Sequence, residues 1–133
     1  MIQKNSILRN FDNSGISIIK CIEVLSKRKE SKLLDFVKFV IKKFSKFKKR
    51  RVIKVKKNIL YKGVILTQNL FYKRKNGFFI KFDIIKVIGI SKRKLLGSRI
   101  KGNIMKEVKK LLNIKKKRSD IIRKIILKSR FIL

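Results

Sequence analysis

Hydrophobic and polar positions alternate along much of this chain, and the alternation predicts strands. From Phe36 to Lys42, Val37, Phe39 and Ile41 fall on one side and Lys38 and Lys42 on the other. That is the period-two pattern of a strand with one wet face. Ile16 to Val24 repeats it, with Ile16, Ile18, Ile22 and Val24 sharing a face that Lys20 interrupts. Met1 to Arg9 predicts a short first strand, and Asp12-Asn13-Ser14-Gly15 a turn closed by a glycine free to take positive φ. The central stretch Lys54 to Asp83 holds two apolar runs, Ile59 to Leu66 and Phe78 to Phe82. They predict a β-hairpin returning through Asn76-Gly77, with Ile65, Phe78, Ile80 and Phe82 facing inward and Lys81 outward. Val87, Ile88 and Ile90 continue the β pattern.

After Asn103 the period changes. Met105, Val108, Leu111 and Leu112 follow helical spacing with Lys106, Lys109 and Lys110 opposite, and Ile121, Ile122, Ile125 and Ile126 fit one face of a second short helix. The order is five or six strands and then two small helices, with no internal repeat and no linker. This predicts a mainly β fold in one domain spanning 1–133: a five-stranded OB-like β-barrel with a protruding β-ribbon over 1–90, and a basic loop with a small C-terminal helical region over 91–133. Closing the strands into a barrel removes the exposed edges that a chain rich in Ile and Val must protect.

Charge decides what such a barrel is for. Forty Lys and Arg against seven Asp and Glu leave the 133 residues with a formal net charge of +33, far beyond the magnitude of about 2–8 that solubility asks of a small domain. The native state therefore calls for a permanent counter-charge, and nucleic acid supplies one. The cations gather in loops: Lys46, Lys48, Lys49, Arg50 and Arg51, then Lys54, Lys56 and Lys57, then Lys73, Arg74 and Lys75, then Lys92 and Arg93. Lysine-rich loops suit phosphate contacts, which position without reading sequence. Phe44 and Phe47 lie within the densest of these segments, placed either to stack on bases or to tuck back onto the barrel.

Absences narrow the chemistry. Without histidine there is no imidazole for acid–base work or metal ligation. The single Cys21 sits in an apolar run as a small buried hydrophobe, with no zinc-site neighbour. The few carboxylates show no paired acid–base spacing, so no enzyme, metal or cofactor is expected. A single-strand binder of the OB type would expose aromatics on its strands, whereas Phe78, Ile80 and Phe82 read as interior. A membrane-surface role for 105–128 fits poorly with a β-rich body and evenly spread charge.

The opening MIQKNSILRNFDNSG, followed by CIEVL, resembles the start of the L-fourteen family of large-subunit ribosomal proteins. The similarity continues colinearly through Asp35-Phe36-Val37-Lys38, Lys54-Val55-Lys56-Lys57, Gly63-Val64-Ile65-Leu66, Asn76-Gly77 and Phe82-Asp83. It then runs through Leu96-Gly97-Ser98-Arg99-Ile100-Lys101-Gly102, Lys106-Glu107 and the ending from Ile125 to Leu133. Four departures stand out. Leu34 replaces a usual glycine, Ile85 a usual Asn or Thr, and Gln68-Asn69 part of an Arg-Thr-Lys-like stretch, while the basic segments 43–53 and 109–120 are longer than usual.

The resemblance implies a barrel that binds large-subunit rRNA and neighbours ribosomal proteins L-three and L-nineteen. It implies bridges to small-subunit rRNA, with Ser98, Arg99 and Lys101 on the intersubunit face, and docking of the ribosomal silencing factor near Ser98-Arg99. Abundant Lys, Ile, Phe and Asn without proline is the imprint of an AT-rich gene. The strand pattern begins at once, and from this no import leader is expected. The expectation is a mitochondrial ribosome and an organelle-encoded chain, with a plastid or an AT-rich bacterium as the alternatives.

Overall fold

The computed structural model describes residues 2–26, 33–45, 55–92, 94–108 and 119–132. Among the described residues, the elements follow in order: β1 Ile7–Asn10, β2 Ile16–Leu25, β3 Phe36–Phe44, β4 Tyr61–Ile65, β5 Tyr72–Lys73, β6 Phe79–Ile80, β7 Lys86–Ser91, β8 Lys94–Leu95, β9 Ile100–Ile104, α1 Ser119–Lys128 and β10 Ser129–Ile132. The main sheet runs β1-β2-β3-β4-β7-β8 and closes through a parallel pairing of β1 with β7. The result is the expected five-stranded barrel of β1, β2, β3, β4 and β7.

Two apolar clusters hold it. Inside the barrel lie Leu8, Ile16, Ile19, Cys21, Val37, Phe39, Ile41, Ile65 and Val87. On the other face of β4 and β7, Val64, Leu66, Ile88 and Ile90 pack with Leu33, Leu34, Ile104, Met105, Val108, Ile122 and Ile125. The C-terminal segment thus covers the outside of β4 and β7. A strand buried on both faces must be apolar throughout, which is why Gly63–Leu66 and Val87–Ile90 read as unbroken runs.

Gly63 and Gly89 are cross-strand partners under the ring of Phe39. A Cβ on Gly63 would stand 2.9 Å from Phe39 Cε1 and 3.1 Å from the Ile88 carbonyl oxygen. Neither glycine has positive φ; their smallness makes room for the ring. Leu34, by contrast, takes a left-handed backbone, at φ 63°, while its side chain is 1% exposed. Core burial offsets the left-handed strain of about 1–2 kcal/mol.

The structure corrects three expectations. The apolar runs of the central stretch do not pair with each other. β4 pairs with β3 and β7, while β5 and β6 form a separate two-stranded ribbon. On that ribbon Phe82 packs partly buried against the outer cluster and Ile80 is only partly buried, neither inside the barrel, and Phe78 is 73% exposed. Phe78 lies beyond the short ladder, at the loop Lys75-Asn76-Gly77. Gly77 alone takes the left-handed conformation there, and the Arg74 N–H donates to the Phe78 carbonyl. In β2 Ile16 is buried and Val24 packs partly buried on the barrel core as predicted, but between them Ile19 and Cys21 fill the core in place of Ile18 and Ile22, because register shifts around Ile18 and past Cys21 rotate the strand.

The β3 face of Val37, Phe39 and Ile41 and the α1 face of Ile122 and Ile125 are as predicted. Leu111, Leu112 and the first predicted helix beyond Val108 lie outside the described residues. After α1 the chain adds a strand that the sequence pattern did not predict, β10, parallel to β9.

Candidate nucleic-acid interface

The N-terminal turn is built to hold another loop. Asn10 Nδ2 donates to Asp12 Oδ1 at 2.7 Å and the Ser14 N–H to the same oxygen at 2.8 Å, so Asp12, 4% exposed, organises its own turn. Asn13 reaches across to the glycine loop. Its Oδ1 accepts from the backbone N–H groups of Ser98 at 2.7 Å and Arg99 at 3.0 Å, and its Nδ2 donates to Ser98 Oγ at 2.7 Å. Gly97 permits the approach, since a Cβ there would stand 2.6 Å from Asp12 Cβ. Lys128 at the end of α1 donates to the Gly97 carbonyl at 3.1 Å, and the Lys101 N–H to that of Phe11 at 2.7 Å. Clamped from three sides, the loop presents Ser98, Arg99 and Lys101 to solvent. No pattern in the sequence points from the Asp12–Gly15 turn to its partner, which lies some 85 residues away.

The remaining cations fall into separate sets. Lys56 and Lys57 are exposed at a turn, with Lys57 Nζ 6.0 Å from the centre of the Phe44 ring. Phe44 itself packs against the barrel interior rather than reaching outward. Lys92 is exposed beside β8. Lys73 and Lys75 are exposed on the β5–β6 ribbon, but Arg74 between them turns back, its Nε 2.9 Å from Glu107 Oε1. Lys46, Lys48, Lys49, Arg50, Arg51, Lys54, Arg93 and Phe47 lie outside the described residues. Gln68, in the stretch of altered polarity, is 2% exposed, so it does not present itself at the surface.

Lys86 carried no signal in the sequence. Its ammonium sits 5.0 Å from the Phe11 ring centre and 5.7 Å from that of Phe82, and donates to the Asn103 carbonyl at 2.9 Å. Burial pushes its pKa below the ordinary lysine value. It ties β7 to β9 and is no free surface cation. Cys21 is fully buried, and burial pushes its thiol up, as befits a small core residue.

A closed barrel held by two cores and carrying a net charge of +33 defines a small, strongly cationic β-barrel protein. The family model of ribosomal protein L14p/L23e matches residues 1–119. The chain belongs to that family. It is similar to the large ribosomal subunit protein uL14 of Carsonella ruddii, 34% identical over 82% of this chain and 88% of the relative. It is also similar to uL14m of Dictyostelium discoideum, 35% identical over 83% of this chain and 89% of the relative. These are structural ribosomal proteins, and the chain is accordingly not an enzyme.

Proposed function

We propose that the protein is a structural constituent of the large ribosomal subunit that binds large-subunit rRNA through phosphate contacts of its lysine-rich loops. The observation that carries this is the family match over residues 1–119, joined to a net charge of +33, part of it on exposed cations of turns and of the β5–β6 ribbon. Lys56, Lys57, Lys73, Lys75 and Lys92 are the described members of that set; Lys46, Lys48, Lys49, Arg50, Arg51, Lys54 and Arg93, outside the described residues, are proposed as contacts from the sequence alone. Arg74 has a divided role, since Glu107 already holds it.

The clamped loop with Ser98, Arg99 and Lys101 faces the subunit interface and contributes to bridges with small-subunit rRNA. Asn13 holds that surface in one shape, which is what a bridge between rigid bodies needs. Ribosomal proteins L-three and L-nineteen and the ribosomal silencing factor complete the partners. The ribosome is mitochondrial, the chain organelle-encoded. The similarity to uL14m and the AT-rich residue bias support this reading.

Sucrose-gradient sedimentation of a mitochondrial lysate, probed for this chain, tests it. Migration with the large subunit is expected. A position at the top of the gradient, or with ribosomes of another compartment, refutes the assignment. Mapping the gene to a nuclear chromosome overturns organelle encoding alone. Replacing Lys73 and Lys75 with alanine should lower the slope of log K against log salt by about 0.7–0.9 for each phosphate that these lysines neutralise.

A further inference from the structure

The outer face of the β5–β6 ribbon is an alternation of rings and cations. Lys73 stands opposite Phe79 in the ladder, and one step further along the ribbon, beyond its paired residues, Lys81 lies over Phe71. Lys73 Nζ is 5.9 Å from the Phe79 ring centre and Lys81 Nζ 4.9 Å from that of Phe71. Phe71 is 69% and Phe79 61% exposed. The other side of the ribbon is anchored: Tyr72 and Phe82 pack on the outer core, and Arg74 is tied to Glu107. Rings this exposed add nothing to the core that the ribbon rests on.

We propose that this face is a stacking platform for unpaired RNA bases, with Phe71 and Phe79 taking one base each and Lys73 and Lys81 neutralising the flanking phosphates. The inference rests on the rRNA-binding reading above and deepens it by assigning a single-stranded element to one surface. Every base has a π face, so aromatic platforms flanked by cations hold unpaired strands without reading sequence. An apolar protein surface fits less well, because it would desolvate Lys73 and Lys81 without giving them a counter-charge. Base-paired RNA fits less well too, since its bases are already stacked.

The test compares wild-type protein with the double variant Phe71→Leu/Phe79→Leu, which keeps apolar bulk and every cation but removes both π faces. The probes are a short unstructured RNA and the same RNA annealed to its complement, read by fluorescence anisotropy; far-UV circular dichroism confirms that the variant is folded. The single strand should bind more weakly by about 5- to 150-fold for each ring that holds a base. Duplex affinity and the salt slope should stay unchanged, and Phe71→Trp/Phe79→Trp should tighten the single strand. Equal losses on both probes, or none on either, overturn the proposal. So does impaired incorporation into large subunits with unaltered RNA affinity, which would mark a protein partner. Wild-type protein that sediments free of the large subunit defeats the ribosomal reading itself. Wild-type sedimentation with a silent Leu variant defeats only the platform.

Discussion

Adding one methyl group to Gly63 should unsettle the barrel more than adding one to Gly89, although the two face each other. A β-strand alanine ordinarily gains about 0.5–1 kcal/mol over glycine through the entropy of the unfolded chain. Against that gain stands overpacking, which typically costs about 1–3 kcal/mol. At Gly63 the new Cβ meets Val87 Cγ1 at 2.8 Å, Phe39 Cε1 at 2.9 Å and the Ile88 carbonyl oxygen at 3.1 Å. Two of these belong to fully buried side chains and the third is backbone, so none yields easily. At Gly89 the nearest contact is the methyl end of Leu96, which is only partly buried, and Phe39 Cζ is 3.2 Å away.

Gly63→Ala should therefore lose about 1–2 kcal/mol net and Gly89→Ala between zero and about 1. Urea denaturation followed by circular dichroism measures both, at salt high enough to screen the surplus charge. Shrinking the ring supplies the control. In a Phe39→Leu background, Gly63→Ala should cost less by about 1 kcal/mol, a coupling in the range seen for residues that touch. Absent coupling, or a larger loss at Gly89, would show that the glycines are not there to seat the ring.

Three further outcomes follow from particular side chains. Asn13→Ala removes three side-chain hydrogen bonds and, with part of each replaced by water, should cost about 1–2 kcal/mol. Hydrogen exchange at the Ser98 and Arg99 amides should accelerate, and unchanged protection there would refute the clamp. Leu34→Gly relieves strain of about 1–2 kcal/mol but gives up core burial of about 1.5–3 and adds unfolded-state entropy. The variant should be the less stable protein, and a higher melting temperature would contradict this account. Lys86 has its pKa lowered in the folded state, so between the folded and unfolded values the unfolded chain binds more protons and stability rises with pH. That slope, measured in alkaline buffer below the ordinary lysine pKa, should be flatter in Lys86→Met. Equal slopes would remove Lys86 as its source.

The barrel was legible because most of its strands obey one rule. β3 shows strict alternation, and β4 and β7 show the unbroken apolar runs of strands covered on both faces. What escaped was whatever depends on breaking the rule. Register shifts in β2 moved Ile18 and Ile22 off the core, and a three-residue loop with a single left-handed Gly77 let Phe78 swing outward. β10 escaped because its pairing partner is β9, which only the fold brings beside it. The exposed cations of the candidate interface could be read from composition, but their distribution could not. Arg74 looks the same as its neighbours until Glu107, 33 residues on, is seen to hold it. Asn13 likewise gains its role only from the loop it clasps, and Lys86 gains its own only from two rings brought together by β1 and β7.

The seam between β1 and β7 has a consequence in time. Only two registered pairs, Arg9 with Lys86 and Asn10 with Val87, join the first strand to the last strand of the barrel. A chain emerging from its own synthesis can zip β1 to β2 and β2 to β3 early, because each partner follows within a few tens of residues. Its first edge must then wait, open, until residues 86–91 arrive. Pairings this distant in sequence slow folding towards the millisecond-to-second range of all-β barrels. For that interval the chain holds an unpaired edge and an uncovered apolar face. Its large like-sign charge then has a second use, because copies that repel one another do not pair edge to edge while they wait.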